Sequence, residues 1–473
     1  MLIFLSFKKI ISMKKQLLSI TILLFALLNA SCTDQDDNGL DTNVEVNRFI
    51  WRGLNAYYLW QADVADLADN RFANDFEKNV FVSNYAPFDL FTTLKKAPPI
   101  DRFSVLFDDY RTLEGILSGN TNTTGIDYSL FYKQGSTTEI YGSVNYVLPN
   151  SPASVLGISR GDVFYAINNE QLTVSNYKSL LANETLSLHF AQLVAGNITP
   201  NGVIKTVTKV QIQENPIYYY NVINLGTKKV GYLVYNAFLS DYENALNNVF
   251  GYFKGQGVTH LVVDLRYNSG GSVATATRLA SMITGQFNGQ IFAKQQWNPK
   301  IQNYLLQNSP SSLNNLFTTT LSNGTNIESL NLSKIYILTA KGTASASELL
   351  INGLKPYINV VQIGDVTTGK NVGSVTLYDS PNFTKNQINP RHNYAMQPIV
   401  LKIVNAENFG DYTSGLQPNV SFVENRENMG VLGDTNEPLL ATALNYIASN
   451  GKNMYYAKSS NSSTYFRGKK ELE

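Results

Sequence analysis

The sequence contains one cysteine, Cys32, and only three histidines, His189, His260 and His392. A single cysteine excludes a disulfide within the chain, and the scattered histidines have none of the spacings that build zinc sites. We therefore expect no metal and no other cofactor. Because histidine is the usual base for a serine or cysteine nucleophile, nucleophilic chemistry in this chain would need another base.

Charge is also scarce, since only 15% of the 473 residues are charged, with 37 basic residues against 36 acidic ones. Such a balance creates no field that would attract nucleic acid, so no nucleic-acid partner is expected. The 44% of hydrophobic residues can fill a large core, and the length predicts two or three globular domains.

The N-terminus carries an export signal, "MKKQLLSITILLFALLNASC", in which two lysines and an apolar run precede Cys32. Translation starts at Met1 or at Met13. The segment resembles a bacterial lipobox, and the "TDQDD" that follows resembles the surface-export signal of Bacteroidetes lipoproteins. These resemblances imply removal of residues 1–31, a lipid anchor at Cys32, and an outer-membrane location exposed at the cell surface. The alternative is a signal peptide followed by an incidental cysteine.

Composition divides the mature chain into five segments and predicts a multidomain α+β and α/β protein. Residues 32–43 are acidic, like a tether, and residues 44–120 have apolar residues at helical spacing, which predicts a helical N-terminal domain. Short apolar runs between turn residues at 121–205 predict a compact β domain. Alternating strands and helices at 206–430 predict an α/β core, and residues 431–473 a C-terminal helix and tail.

Within the β domain, "PNSPASVLGISRGDVFYAINNEQL" has an ordered set of turn residues. Pro152 can open a helical turn, Gly157 can end it, and Gly161 can make the tight turn into the next strand. The phrase resembles the PDZ domains attached to processing proteases. That resemblance implies that a peptide tail binds as an added strand, with its carboxylate met by backbone amides near Thr124–Tyr132.

Two patterns predict elements of the α/β core. "SDYENALNNVFGYFKGQG" predicts a helix that begins with a capping box between Ser240 and Glu243. "LVVDL" predicts a strand buried on both faces. Asp264 and Arg266 at its end are expected to form a charged pair that shapes the strand end. The three histidines are expected to be structural or solvated, because none lies near a plausible aspartate by sequence.

Ser345 stands where the apolar strand "KIYILTA" gives way to a helix. One interpretation is structural, since Ser345 and Glu348 have the spacing of a capping box. The other is catalytic. A desolvated Lys370 could lose its proton and act as base, while the amide of Ala346 and those of the "NSGG" segment, residues 268–271, could hold an oxyanion.

Together these motifs resemble the C-terminal processing, or tail-specific, peptidases. The resemblance rests on the order of the PDZ-like segment, "LVVDLRYNSGG", "TASASELL" and a lysine twenty-five residues beyond its first serine. "DRFSVLF", "YTSGLQPNV" and "LGDTNEPLLATALNYI" resemble other segments of the family. This family resemblance implies a serine endopeptidase with Ser345 as nucleophile and Lys370 as general base. The amides of Ala346, Gly270 and Gly271 would form the oxyanion hole.

Two positions depart from the family pattern. Many members have glutamine four residues after the lysine, where this chain has Ser374, a shorter group that could orient Lys370 directly or through water. Some members have an acidic residue about eleven positions after the nucleophile, where this chain has Pro356, so no carboxylate partner is assumed. These departures leave open an inactive surface lipoprotein that binds peptides. Hydrolysis of a non-peptide ester or amide is a third interpretation.

Overall fold

The computed structural model describes residues 42–451. The predicted signal peptide, Cys32 and the end of the predicted tail lie outside the described residues. Within them the α-helices are α1 (Thr42–Tyr57), α2 (Asp75–Val82), α3 (Pro87–Thr93), α4 (Tyr110–Ser118), α5 (Pro152–Val155), α6 (Tyr177–Ala182), α7 (Glu243–Gly255), α8 (Val273–Thr284), α9 (Pro299–Asn308), α10 (Ala346–Leu354) and α11 (Pro438–Ala448).

Short 3₁₀ turns lie at Gln61–Asp63, Ala65–Leu67, Ser240–Tyr242 and Pro310–Leu313. The strands of the described residues are β1 (Val105–Phe107), β2 (Asn120–Thr123), β3 (Ile126–Tyr132), β4 (Ile140–Val147), β5 (Val163–Ile167), β6 (Glu170–Gln171), β7 (Thr185–Val194), β8 (Asn197–Thr208), β9 (Val210–Gln213), β10 (Ile217–Leu225), β11 (Lys228–Tyr235), β12 (His260–Asp264), β13 (Ile291–Trp297), β14 (Asn314–Leu316), β15 (Lys334–Thr339), β16 (Asn359–Gly364), β17 (Val372–Ser374), β18 (Leu377–Tyr378), β19 (Ala395–Gln397), β20 (Ile399–Asn405) and β21 (Val420–Ser421).

One compact unit contains the described residues up to Tyr110 together with residues 376–398. Helices α1 to α3 belong to it, as the helical pattern predicted. Helix α1 buries Val46, Phe49 and Ile50 at helical spacing. Strand β1 pairs antiparallel with β19, which pairs with β18. The sequence boundaries had placed residues 376–398 in the α/β core, because a strand pattern does not reveal which strand it will pair with.

The second compact unit contains residues 111–375 and the described residues from Ile399 onward. Its main sheet has the order β10-β11-β12-β15-β16-β21, in which only β10 and β11 are antiparallel. The predicted "LVVDL" strand is confirmed, and Leu261, Val262 and Val263 are fully buried. Helix α11 packs its apolar residues against this sheet. The carboxyl ends of the parallel strands β12 and β15 therefore lie side by side, where ligand sites of such sheets form.

The predicted helix after β11 is confirmed, but its predicted capping box is wrong. A 3₁₀ turn occupies Ser240–Tyr242, and helix α7 begins at Glu243 with Tyr242 as an N-cap that makes no side-chain capping bond. Glu243 is buried and accepts hydrogen bonds from Thr275 (2.9 Å) and Arg278 (2.8 Å) of α8. Because a buried carboxylate needs hydrogen-bond partners, Glu243 is used by these side chains of α8, and tertiary packing overrides the local pattern.

The PDZ-like region, residues 121–205 in the sequence analysis, folds around a sheet of order β3-β4-β5-β7-β8, with β6 paired to β5. The predicted turns are present. Helix α5 begins at Pro152, while Gly157 and Gly161 have φ angles of +65° and +91°. Among the described residues β3 pairs with β4 alone, so β3 is an edge strand of this sheet. An edge strand offers backbone groups to an added strand.

Candidate active site

Ser345 is held in a strained backbone conformation at the junction of β15 and α10. Its φ of +56° and ψ of −115° lie outside the regions that residues other than glycine normally adopt. The side chain is partly exposed, although its neighbours Ala344 and Ala346 are buried. A serine on a sharp strand-to-helix turn is typical of nucleophiles whose hydroxyl must face a substrate.

The fully buried Glu348 connects Ser345 to Lys370. Its Oε2 accepts from the backbone amides of Ser345 (3.0 Å) and Lys370 (2.8 Å). Its Oε1 accepts from the Gly369 amide (2.7 Å) and the Thr367 hydroxyl (2.5 Å). The predicted capping contact from Glu348 to the Ser345 amide is therefore present. The same carboxylate also fixes the loop that carries Lys370, which the sequence analysis did not predict.

The charge of Glu348 is controlled by burial and by its donors. Burial raises the pKa of Glu348, while the hydrogen bonds from Thr367, Lys370, Gly369 and Ser345 act in the opposite direction. Each carboxylate oxygen of Glu348 accepts two hydrogen bonds, so the four donors satisfy both oxygens. Glu348 is thus suited to holding two backbone segments at a fixed separation.

Tyr412 is a second buried group, and its pKa depends in part on the charge of Glu348. Burial, followed by the negative charge of Glu348, raises the pKa of Tyr412 well above its ordinary value. The phenol is therefore neutral near pH 7.

The loop between β16 and β17 presents Lys370, which is partly buried. Gly369 has a φ of +85°, and a Cβ there would lie 2.2 Å from the carbonyl oxygen of Thr413. Only glycine permits this close approach of backbone to backbone. Ser374 lies at the end of β17 opposite Ile399 of β20, four residues beyond Lys370.

The buried side chain of Asn268 organises residues 268–271, the segment predicted to help hold an oxyanion and called here the oxyanion segment. Its Nδ2 donates to the Tyr235 carbonyl (2.8 Å), and its Oδ1 accepts from the Gly270 amide (2.8 Å). The Asn268 carbonyl accepts from the Ala344 amide (3.1 Å) and from the Ser347 hydroxyl (3.0 Å). Asn268 therefore joins this segment to both sides of Ser345. The sequence analysis considered only the backbone of this segment and missed its asparagine.

The glycines of this segment lie against the turn of Ser345. A Cβ on Gly270 would lie 2.7 Å from the Cβ of Ser345 and 2.9 Å from the Ala346 nitrogen. The predicted contribution of the Gly270 amide needs correction, because that amide already donates to Asn268. The amides of Gly271 and Ala346 make no hydrogen bond to other described residues. The structure therefore favours Gly271 and Ala346 as the pair available to an oxyanion.

The predicted charged pair of Asp264 and Arg266 is confirmed and is part of a larger buried group. Arg266 donates to Asp264 (2.7 Å), to Glu437 (2.7 Å) and to Glu424 (3.0 Å). Glu437 also caps α11 by accepting from the Leu440 amide (2.8 Å). The arginine thus connects the end of β12 with the start of α11, which is a structural role.

His392 has a structural role, as predicted, although its aspartate partner was not expected. In the first unit the Nε2 of His392 lies 3.0 Å from the Oδ2 of Asp379, which also accepts from Arg52 (3.1 Å) and Asn389 (2.9 Å). The His392 Nδ1 accepts from the Tyr394 amide (3.1 Å), so Nε2 carries the proton that faces Asp379. The pair lies in a buried loop cluster and is structural, as expected for histidines in this chain.

No group of three or more histidine, cysteine, aspartate or glutamate side chains among the described residues could hold a metal ion. No helix within residues 42–451 is both long enough and apolar enough to cross a bilayer.

Comparison with known proteins agrees with this geometry. Residues 229–383 match the domain of peptidase family S41, and residues 45–105 match the peptidase S41 N-terminal domain. The solved structure of an S41-family protein from Bacteroides fragilis NCTC 9343 has 27% sequence identity and a TM-score of 0.64, covering 86% of this chain and 98% of that one. The chain belongs to peptidase family S41.

Two curated relatives of this S41 family member are named as C-terminal processing peptidases. The chloroplastic enzyme of Tetradesmus obliquus is 24% identical over 313 residues, which cover 60% of this chain and 63% of the relative. The chloroplastic carboxyl-terminal-processing peptidase 2 of Arabidopsis thaliana is 27% identical over 256 residues, covering 52% of this chain and 45% of the relative. The matches thus span less than two thirds of either relative.

A further solved structure shares the fold. The photosystem II D1 C-terminal processing protease has a TM-score of 0.51 and 17% identity over 87% of this chain and 99% of that one. The predicted resemblance to the C-terminal processing peptidases and the predicted fold class are confirmed. The lipoprotein assignment of this S41 family member stays a prediction.

Proposed function

We propose that this S41 family member is a serine endopeptidase that cleaves unstructured polypeptides, with Ser345 as nucleophile and Lys370 as general base. One observation carries the proposal, namely that a single oxygen of the buried Glu348 accepts from the amides of both residues. The strained turn at Ser345 and the close approach of Gly270 support the same assignment. A merely structural cap would require neither of these features.

In the proposed reaction the Ser345 Oγ attacks the carbonyl carbon of the scissile peptide while the neutral amine of Lys370 takes the hydroxyl proton. The amides of Gly271 and Ala346 donate to the oxyanion that forms. The C–N bond then breaks, and Lys370 gives its proton to the leaving amine. Water, deprotonated by Lys370, hydrolyses the acyl-enzyme and restores the Ser345 hydroxyl.

The PDZ-like region is proposed to capture the C-terminal tail of the substrate. The position of β3 at the edge of its sheet supports this role, because a tail can bind beside an edge strand as a further strand. Ile126 and Tyr128 of β3 are partly buried against the apolar core of the region, and Val174 lies against the same core. Apolar surroundings of this kind favour a tail that ends in an apolar side chain.

The location is proposed from the N-terminal sequence alone. Cys32 would carry lipid and anchor the protein in the outer membrane, with the catalytic unit at the cell surface. Labelling of cells with an alkyne fatty acid should mark the wild type and leave Cys32→Ala unmarked. Degradation by protease added to intact cells would support surface exposure, and full protection would place the protein on the inner leaflet side.

The first experiment compares soluble protein beginning at Thr33 with its Ser345→Ala and Lys370→Ala variants. Cleavage of an unfolded polypeptide with an apolar C-terminus is followed by mass spectrometry. We expect cleavage by the wild type and none by either variant, with unchanged thermal unfolding. A wild type that binds the tail and cleaves nothing would favour the peptide-binding lipoprotein, for which Ser374 and Pro356 are the suggestive departures.

A further inference from the structure

The PDZ-like region meets the α/β core in a buried polar cluster centred on Arg160. The Nη1 of Arg160 donates to the Asn145 carbonyl (2.7 Å) and to the Tyr267 hydroxyl. Its Nη2 donates to Glu424 (2.8 Å) and to the Met429 carbonyl (3.1 Å). The Arg160 side chain is only 9% exposed. Its guanidinium also lies 5.4 Å from the centre of the Tyr267 ring, within cation–π range.

Tyr267 connects Arg160 to the oxyanion segment. It directly precedes Asn268, whose side chain holds the amide of Gly270 and whose carbonyl holds the amide of Ala344. The Tyr267 ring is fixed at its far end, where the hydroxyl donates to Glu424 at 2.8 Å. A shift of Tyr267 would therefore shift Asn268, and with it the amides that border Ser345.

Glu424 gives the cluster its electrostatic stability. It also accepts from Arg266 (3.0 Å) and lies 3.5 Å from Arg426. Although burial alone would raise it, the charges of Arg426, Arg160 and Arg266 hold the pKa of Glu424 well below its usual range. Loss of Arg160 alone would leave Glu424 with two guanidinium partners. Removing this one arginine therefore does not leave an unpaired buried charge.

We propose that Arg160 is a positioning residue for the oxyanion segment, so that the PDZ-like region supports the catalytic geometry whether or not a tail occupies β3. The proposal rests on the proposed function. It assigns the Arg160–Tyr267 contact an effect on the chemical step in addition to any effect on tail binding. Short peptides that never reach β3 should therefore depend on Arg160 as strongly as tailed polypeptides do.

The test compares the wild type with Arg160→Gln, Tyr267→Phe and the double variant. Each is assayed on a tailed polypeptide and on a short quenched peptide whose C-terminus is an amide. Tyr267→Phe keeps the ring beneath the guanidinium and removes only the hydroxyl. We expect each single variant to lower kcat roughly tenfold on both substrates with little change in KM, because small misplacements of catalytic groups cost up to about 10²-fold. The kcat of the double variant should be no lower than that of the less active single variant, as expected for two residues that act as one unit.

Arg426→Gln is the matched control. Arg426 donates to the side chain of Asn145 in the PDZ-like region (3.0 Å) and lies beside Glu424, so its loss removes a charge from the same cluster. It should leave kcat within about twofold of the wild type, because the hydrogen bonds of Arg426 go to Asn145 and Met429 and not to Tyr267 or Asn268. An equal loss in Arg426→Gln, additive losses in the double variant, or a change in KM alone would each overturn the proposal.

A second measurement does not depend on activity. Hydrogen exchange of the peptide spanning residues 267–273 reports the bond between the Gly270 amide and Asn268. It should become faster in Arg160→Gln and stay unchanged in Arg426→Gln, and equal exchange in all three proteins would refute the positioning role. Retained cleavage by Ser345→Ala would refute the proposed function instead. Normal kcat in a Ser345-dependent Arg160→Gln enzyme would refute only this inference.

Discussion

The backbone amides of Ser345 and Lys370 donate to the same oxygen of Glu348, at 3.0 and 2.8 Å. The two residues are twenty-five positions apart in the sequence. The buried carboxylate of Glu348 therefore fixes the relative position of the two backbone segments that carry Ser345 and Lys370. A lysine base must lie within hydrogen-bond reach of the hydroxyl it deprotonates, so the position of this carboxylate controls the proposed chemistry.

Glu348→Gln tests this role directly. The substitution preserves shape, but it places an amide NH₂ toward backbone N–H donors and leaves buried donors unsatisfied at a cost of about 1–3 kcal/mol. We expect kcat to fall about 10²-fold, as for a misplacement of reacting groups, with a smaller change in KM. Initial rates over a range of polypeptide concentrations separate the two constants.

Glu243→Gln provides the control for Glu348→Gln. Glu243 is also a buried glutamate of the second unit, with hydrogen bonds from Thr275 and Arg278. Its amide variant should lower the unfolding temperature to a similar degree and leave kcat unchanged. If both variants lost kcat equally, Glu348 would be a stability residue only.

Gly270→Ala should abolish the proposed activity. The new Cβ would lie 2.7 Å from the Cβ of Ser345, and Gly270 has a φ of +112° that alanine rarely adopts. The turn must therefore move, and we expect cleavage to fall by about 10²-fold or more. Gly257→Ala is the control, because Gly257 has a φ of +70° with nothing within 4 Å of an added Cβ. It should cost about 1–2 kcal/mol of stability while activity is retained, so a similar loss of activity in both variants would argue against a local effect.

Much of the catalytic region could be predicted from sequence because its patterns are local. The strand before Ser345, the helix after it and the turn at Gly161 follow from apolar runs and turn residues. The contacts of Glu348 with Gly369 and Lys370 could not be predicted, since they join helix α10 to a loop that lies beyond the next strand. The only signal was the spacing of Ser345 and Glu348, which predicts a cap and nothing about a lysine.

The wrong capping-box prediction and the unexpected partner of His392 have the same cause. Ser240 and Glu243 have capping-box spacing, but the buried Glu243 carboxylate accepts from the partly buried Arg278 instead. His392 and Asp379 stand thirteen residues apart in a segment without periodicity, so nothing in the sequence shows that the loop brings them together. At both positions the hydrogen-bond partner is a polar side chain that the local sequence pattern does not reveal.

The His392–Asp379 pair predicts a pH-dependent contribution to the stability of the first unit. Burial alone would raise the pKa of Asp379, but hydrogen bonds from His392 and Asn389 and the charge of Arg52 outweigh it and lower the pKa. A carboxyl with a lowered folded pKa stabilises the fold above its unfolded pKa, and that contribution is lost as pH falls through the folded value. Asp379→Asn should therefore destabilise the protein near pH 7 and lose its effect in acid.

Urea unfolding of the wild type and Asp379→Asn across this pH range measures the difference. Asp66→Asn is the control, because Asp66 forms an exposed pair with Arg71 in the same unit. An exposed pair contributes about 0–1 kcal/mol, so this variant should differ little from the wild type at any pH. A destabilisation by Asp379→Asn that did not change with pH would show that packing, and not charge, holds His392 in place.

Dependence on a free C-terminal carboxylate distinguishes capture by the PDZ-like region from binding at the catalytic cleft alone. Backbone amides beside an edge strand recognise a terminal carboxylate, which an amidated C-terminus does not provide. We expect KM to rise roughly tenfold for an amidated polypeptide with kcat unchanged, because the lost carboxylate contact stabilises the bound ground state and the transition state equally. Acetylation of the N-terminus of the same polypeptide should change neither constant. If amidation left KM unaltered, the edge strand β3 would not be the tail site, and recognition would lie in the residues around Ser345.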